Sequence, residues 1–82
     1  MNYSDVEAQV KEVLSKQLSM AADKIGSDAR LVEDLGLDSF GSVEIAFELE
    51  EKFNIKIPDA ALYEAKTVKN IVDYIAAQKE AK

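Results

Sequence analysis

The sequence predicts an all-α fold, a small bundle of three main helices plus one short helix, with a long loop between helices 1 and 2. Apolar residues recur at helical spacing in three separate stretches, and no alternating apolar and polar run is long enough for a convincing strand. At 82 residues the chain is expected to form a single domain, residues 1–82, in which neighbouring helices are mostly antiparallel.

The first helix is predicted over residues 5–18. The segment Ser4-Asp5-Val6-Glu7 fits a capping box, in which the Ser4 and Glu7 side chains satisfy backbone N–H groups at the helix start. Apolar residues then recur on one helical face, namely Val6, Val10, Val13, Leu14 and Leu18. This face is expected to pack into the core.

A long loop is predicted for residues 19–38, because sustained periodicity is missing there and the segment contains Gly26 and Gly36. Apolar residues are spaced through it, namely Ile25, Leu31, Val32 and Leu35. They are expected to pin the loop onto the core. A loop this long in so small a domain is usually functional.

The second helix is predicted to begin at Asp38-Ser39, where either side chain can cap it, and to run to Lys52 or Phe53. Its apolar residues cover well over half of the circumference: Phe40, Val43, Ile45, Ala46, Phe47, Leu49 and Phe53. The remaining narrow stripe is acidic: Glu44, Glu48 and Glu51. So wide an apolar arc predicts a helix that is either central or shows hydrophobic residues to a partner. Core packing is the alternative for Phe40 and Phe47.

After this helix, an extended link, Ile55-Lys56-Ile57, is predicted to end at the only proline, Pro58. Asp59 is placed to cap a short helix through Ala60 to Glu64, and Thr67 to cap the last one. The last helix has one apolar stripe, formed by Val68, Ile71, Val72 and Ile75. The polar tail after Ala77 is expected to fray.

The composition excludes several kinds of chemistry, because the sequence contains no Cys and no His. Without Cys there is no disulfide, no thiolate nucleophile and no sulfur ligand for zinc. Without His the Ser-His and Cys-His arrangements that activate a nucleophile are missing. The chain is therefore predicted not to be an enzyme.

Negative charge is concentrated in the middle of the chain. The whole sequence has 16 acidic and 10 basic residues, a net charge of −6, whereas residues 31–64 alone carry nine acids and two bases, a charge of −7. This local excess predicts a docking surface. Nucleic acid is not expected as a partner, because an acidic chain repels the phosphate backbone. Neither a membrane span nor a signal sequence is predicted, so the expected location is the cytoplasm.

Familiar catalytic and metal motifs do not fit the sequence. Leu37-Asp38-Ser39-Phe40-Gly41 lacks the first glycine of a nucleophile elbow. An EF-hand loop started at Asp34 would place Ile45 where the bidentate glutamate is needed. A glycine-rich phosphate loop followed by lysine is also missing. No metal site is predicted.

Ser39 remains as the candidate for chemistry, since it is predicted to lie at the first turn of the second helix. Gly36 permits a tight turn that presents the serine at the surface. A phosphate ester on the hydroxyl would lie near unpaired backbone N–H groups and the positive end of the helix dipole. The position therefore suits a phosphodiester attached by another enzyme. Taken alone, Asp38-Ser39 also fits an ordinary helix N-cap.

A longer pattern around Ser39 resembles the acyl carrier protein family, and the resemblance covers essentially the whole chain. Its central part is the run from Val32 to Ser39, Val-Glu-Asp-Leu-Gly-Leu-Asp-Ser. Downstream matches follow in order: Val43-Glu44, Leu49-Glu50-Glu51-Lys52-Phe53, Ile57-Pro58-Asp59, Thr67-Val68 and Asp73-Tyr74-Ile75.

The resemblance implies that Ser39 is esterified by 4′-phosphopantetheine from coenzyme A, whose terminal thiol holds acyl groups as thioesters. It implies that Asp38 helps to engage the phosphopantetheinyl transferase and its magnesium. The acidic recognition face is implied to be Glu44, Glu48 and Glu51. Partners and tethered chains are implied to contact Phe40, Val43 and Phe47. Core and acyl-pocket positions match Leu31, Leu35, Ala46, Leu49 and Ile57.

The implied function is the transport of acyl intermediates in fatty acid, polyketide or related lipid biosynthesis. Expected partners are the transferase and basic-surfaced acyl-transferring and chain-extending enzymes, and the chain is expected to be a monomer. Three departures predict a specialised carrier rather than the housekeeping one. Phe40 replaces the family's usual leucine, Gly41 weakens the helix start, and residues 59–64 are less acidic than is usual in the family.

Two alternatives stay open at this point. A peptidyl or aminoacyl carrier has the same fold and modified serine, although its second helix is expected to be less acidic than this one. An unmodified helical adaptor could bind a basic partner through the same acidic face.

Overall fold

The computed structural model describes residues 2–80, apart from the side chains of Ser39, Asp59, Leu62, Tyr63 and Glu80. It contains four α-helices: α1 (Tyr3–Leu18), α2 (Ser39–Phe53), α3 (Asp59–Glu64) and α4 (Val68–Glu80). One 3-10 turn, Ala22–Lys24, interrupts the long loop between α1 and α2. Among the described residues β-structure is limited to a single bridge between Arg30 and Thr67. The predicted all-α bundle is therefore confirmed.

The core is apolar and is built from the faces predicted by periodicity. Helix α1 packs against α4 and α2, and α2 also contacts α3. The buried side chains are Val6, Val10, Val13 and Leu14 of α1, Ile45, Ala46, Leu49 and Phe53 of α2, and Val68, Ile71, Val72 and Ile75 of α4. Ile25, Leu31 and Leu37 join them from the long loop. The wide apolar arc of α2 is thus only partly used by the core.

Two predicted helix starts are wrong by one or two residues. At α1 the cap is Asn2, whose side-chain oxygen accepts a hydrogen bond from the Asp5 N–H at 2.9 Å, so the Ser4 capping box does not form. Asparagine caps a helix as well as serine does, and the earlier start lengthens the helix by two residues, Tyr3 and Ser4. At α3 Pro58 holds the N-cap position and Asp59 is the first helical residue. The extended backbone of Pro58, with φ −69° and ψ 158°, suits that position.

The predicted caps of the other two helices are confirmed. Asp38 caps α2 through its side chain. At the start of α4, Thr67 Oγ1 accepts a hydrogen bond from the Asn70 N–H at 3.3 Å, and Asn70 Oδ1 accepts one from the Thr67 N–H at 3.1 Å. This reciprocal pair satisfies two N–H groups that the helix itself leaves unpaired.

The long loop is held against α4 by backbone hydrogen bonds. The Leu31 N–H donates to the Lys66 carbonyl at 2.9 Å, while the N–H groups of Val68 and Lys69 donate to loop carbonyls of Ala29 and Ser27 at 3.1 and 2.9 Å. The loop therefore completes the first turn of α4 as well as burying its own Ile25 and Leu31. Val32 was expected to help pin the loop, but its side chain is 64% exposed.

The end of α4 also differs from the expectation. The segment after Ala77, which was expected to fray, is helical as far as Glu80, and residues 81–82 of that tail lie outside the described residues. Lys79 accounts for this, because its ammonium donates a hydrogen bond to the Phe53 carbonyl at the end of α2, at 2.8 Å. A lysine at that carbonyl also complements the negative end of the α2 dipole.

Candidate functional site

The segment before Ser39 is set by a left-handed turn at Gly36, whose φ is +72°. Glycine adopts this conformation readily, whereas other residues are strained in it. The turn is closed by hydrogen bonds from the Gly36 N–H to the Val32 carbonyl and from the Leu37 N–H to the Leu31 carbonyl, both 3.0 Å. Leu37 is then buried in the core. The chain therefore enters α2 along a fixed path.

Asp38 closes the start of α2, because its Oδ1 accepts a hydrogen bond from the Gly41 N–H at 2.7 Å. Gly41 makes room for this contact. A Cβ placed there would lie 3.2 Å from the Asp38 Oδ1 and 3.3 Å from the Leu37 Cδ2, which is tighter than most such contacts. The glycine that lowers helix propensity thus permits close packing of the cap.

Ser39 is the first residue of α2, and its side chain lies outside the described residues. Its two neighbours in the chain, Asp38 and Phe40, are both exposed. A phosphate ester at this position would meet the N-terminal end of a helix 15 residues long, where the dipole favours negative charge. The residues present therefore fit a covalently attached phosphate-bearing arm.

Helix α2 turns a mixed apolar and acidic face to solvent. Phe40, Val43 and Phe47 are 73%, 42% and 62% exposed, so the core-packing alternative for the two phenylalanines is wrong. At about 100° per residue they lie next to the exposed carboxylates of α2. We call the six residues the outer face of α2: Phe40, Val43, Glu44, Phe47, Glu48 and Glu51.

Three other acids of the central region have partners within the chain. Glu50 is half-buried and its Oε2 accepts a hydrogen bond from the Ile57 N–H at 2.7 Å. Arg30 pairs with Glu33 at 2.9 Å and with Asp34 at 3.1 Å. Hydrogen bonds from Arg30 to Asp34 lower the pKa of that carboxyl group below its ordinary value. On the outer face, Glu44 accepts a hydrogen bond from the Gln17 side chain at 3.2 Å, and the carboxylates of Glu44, Glu48 and Glu51 all remain exposed.

An apolar crevice lies beneath α2, between α3, α4 and the long loop, and it encloses about 30 Å³. Its lining includes four of the five predicted pocket residues, Leu31, Ala46, Leu49 and Ile57. Leu35, the fifth, is half-buried and packs against the core. The crevice is therefore narrow, with its lining side chains packed close together, and it is partly open to solvent.

Sequence reasoning missed part of this lining. The other residues are Leu37, Ser42, Ile45, Ala61, Ala65, Ile71, Tyr74 and Ile75. Ser42 could have been found, because Ser42, Ala46 and Leu49 recur at helical spacing. Ala61 and Ala65 also share one helical spacing, and their small side chains leave room beside α2.

No helix in the described part of the chain is both long enough and apolar enough to cross a membrane.

Comparison with known proteins agrees with the site. The family model described as "Phosphopantetheine attachment site" matches residues 8–75. The acyl carrier protein of Helicobacter hepaticus is 45% identical over 75 residues, which span 92% of this chain and 99% of the relative. The acyl carrier protein of Campylobacter hominis is 42% identical over 71 residues, spanning 87% of this chain and 90% of the relative.

A solved structure of the acyl carrier protein from Enterococcus faecalis has the same fold. Its TM-score is 0.79 at 30% sequence identity, and the match covers 94% of this chain and 98% of the other. Acyl carrier proteins carry acyl groups rather than catalyse reactions, and they act with phosphopantetheinyl transferases and acyl-handling enzymes. On these matches, the chain belongs to the acyl carrier protein family and has its phosphopantetheine attachment site.

Proposed function

We propose that Ser39 is the residue that receives the 4′-phosphopantetheine arm, and that the chain works as a tether rather than as a catalyst. The position of Ser39 carries this proposal: it follows the capping Asp38 directly, begins α2, and has exposed neighbours on both sides. When bound, the arm supplies a thiol that holds acyl groups as thioesters. The chain then raises the effective concentration of that thioester at a docked partner.

Two features of the chain would support the arm. The N-terminal end of α2 favours the phosphate charge, and the Gly36 turn with buried Leu37 fixes where the helix begins. Asp38 holds the first turn through its Oδ1, and in this proposal its carboxylate also meets the transferase and its magnesium.

Intact mass after incubation with a phosphopantetheinyl transferase, coenzyme A and magnesium tests the attachment. We expect one arm on the wild-type chain and none on Ser39→Ala. Ser42→Ala is the matched control, since it removes a hydroxyl one turn further along α2, and it should still accept one arm. Equal addition to Ser39→Ala, or no addition to the wild type with several transferases, would contradict the proposal.

We infer that partners dock on the outer face of α2. Exposed phenylalanines beside exposed carboxylates fit an apolar surface bordered by basic residues. We expect Glu48→Gln to weaken binding to an acyl-transferring partner and to reduce its dependence on salt. Asp23→Asn, which changes the charge by the same amount in the long loop, should do neither. Equal losses in titrations of both variants would count against this surface.

We also infer that the crevice accepts the acyl chain, because its lining is almost entirely apolar and includes Ser42, one turn from Ser39. Once the crevice has widened, the acyl chain would contact Leu31, Ala46, Leu49 and Ile57.

The exposed Phe40 supports a specialised carrier, since a partner must accommodate an aromatic ring directly beside the arm. We further propose that the carrier is monomeric, forms a single domain, is located in the cytoplasm and binds no nucleic acid.

A further inference from the structure

The connection between α2 and α3, residues 54–58, is held by side chains of two helices. Glu50 of α2 accepts a hydrogen bond from the Ile57 N–H at 2.7 Å. From α4, Lys79 donates to the carbonyl of Phe53, the last residue of α2, at 2.8 Å. The Tyr74 hydroxyl, also on α4, lies 3.4 Å from the Lys56 carbonyl. Backbone groups at both ends of the connection thus depend on carboxylate and ammonium partners.

This connection forms one wall of the crevice. Ile57 and Tyr74 both line the crevice, as do Ala61 of α3, which follows the connection, and Ala65 directly after α3. A free volume of about 30 Å³ is too small to bury an alkyl chain of several carbons, so a wall must move before one can be buried there. The opposite wall belongs to the buried face of α2, with Ala46 4% and Leu49 1% exposed.

The connection and α3 are the parts best able to move. Helix α3 has six residues, which is too few for an isolated helix to be stable, so it depends on its packing. The Ile55 and Ile57 side chains are only half-buried. Release of the Glu50 to Ile57 hydrogen bond would free the end of the connection that leads directly into α3.

We propose that Glu50 is a positioning residue that holds this wall closed and thereby sets how readily the crevice opens to an alkyl chain. Its neighbour Glu51 lies about 100° further round α2, on the outer face. Two adjacent carboxylates of equal charge thus have different roles. Glu51 faces docking partners, whereas Glu50 binds a backbone N–H group of its own chain. The identity of the occupant as an acyl chain rests on the proposed function.

Hydrogen exchange of the Ile57 amide in the unmodified chain tests the hydrogen bond between Glu50 and Ile57 directly. A hydrogen bond to a charged acceptor contributes enough that Glu50→Ala should exchange this amide about tenfold faster or more. Glu50→Gln retains an oxygen acceptor and should restore most of the protection. Glu51→Ala is the matched control and should leave the rate unchanged. Exchange in Glu50→Ala within about twofold of the Glu51→Ala rate would overturn the proposal.

A second measurement tests whether loss of the Glu50 contact opens the crevice. The arm is loaded with an octanoyl group, and nuclear Overhauser effects report contacts between the octanoyl chain and the Ala61 methyl group. These contacts should increase in Glu50→Ala over wild type and return towards wild type in Glu50→Gln. Lys79→Ala, which loosens the other end of the connection, should act in the same direction, with Lys69→Ala as its control. Unchanged contacts in both Glu50→Ala and Lys79→Ala would overturn the role in opening.

The two proposals fail in distinguishable ways. If no arm is added at Ser39, the proposed attachment is wrong, while the exchange experiment on the unmodified chain still decides whether Glu50 holds the connection.

Discussion

The two connections that flank α2 are held in different ways. The loop of residues 19–38 is the longer one, yet backbone hydrogen bonds tie it to residues 66–69, and Leu31 and Leu37 lie in the core. The connection of residues 54–58 is short. The N–H groups of Asn54 and Ile55 bond to the Glu50 carbonyl at the end of α2, and the side chains of Glu50, Lys79 and Tyr74 supply further contacts. How firmly each segment is held depends here on whether its partners are backbone or side-chain groups, and not on the length of the segment. The fixed loop leads to Ser39, and the side-chain-held connection borders the crevice.

The largest expected effect is a difference in stability between leucine and isoleucine truncations in the two connections. Leu31 is 6% exposed, so Leu31→Ala should lower the free energy of unfolding by about 2–4 kcal/mol. Ile57 is only half-buried, and Ile57→Ala should cost about 1 kcal/mol. Urea denaturation measures both. Equal losses would show that the two connections contribute alike to the core.

A smaller effect is expected at the Gly36 turn. With φ at +72° and open space around the Cβ position, Gly36→Ala should cost about 1–2 kcal/mol through backbone strain alone. Gly26→Ala serves as the control, because Gly26 has equally open space and no positive φ, and it should change stability by less than about 0.5 kcal/mol. Thermal unfolding of the two variants would separate strain from crowding, and similar melting temperatures would argue against a fixed turn.

The smallest effect concerns acid and the ion pair of the long loop. Arg30 lowers the pKa of Asp34 in the folded chain below its ordinary value of 3.8. The pair therefore contributes stability above that value and loses it as the pH falls through the folded pKa. Asp34→Asn should make the urea midpoint less sensitive to acidification below about pH 4. The change should be slight because the pair is exposed, and Asp23→Asn should not reproduce it.

Much of the fold followed from periodicity and capping. The apolar stripe Val68, Ile71, Val72 and Ile75 predicted α4, and Asp38 predicted where α2 begins. Periodicity alone could not predict whether Phe40 and Phe47 are buried, because the apolar arc of α2 is wider than any one packing surface requires. Which part stays exposed depends on where the other helices lie.

The contact made by Glu50 was also beyond prediction. Helical spacing separated Glu51, on the acidic stripe, from Glu50, but only the return path of the chain past Ile57 gives Glu50 its backbone partner. The helix at Lys79 was missed for a similar reason, since its acceptor, the Phe53 carbonyl, lies far away in the sequence. Local sequence predicts caps and faces, whereas contacts between distant segments decide which polar groups are structural.

The pairing of the long loop with the start of α4 has a consequence for biosynthesis. The segment that leads to Ser39 is anchored by residues 66–69, which a ribosome adds well after the serine itself. Until those residues have emerged, the Ala29 and Ser27 carbonyls lack the α4 N–H groups that they accept in the folded chain. An enzyme that recognises the folded shape of this segment would therefore find its substrate only after residues 66–69 have been made. Attachment of the arm proposed at Ser39 would then follow synthesis of the start of α4.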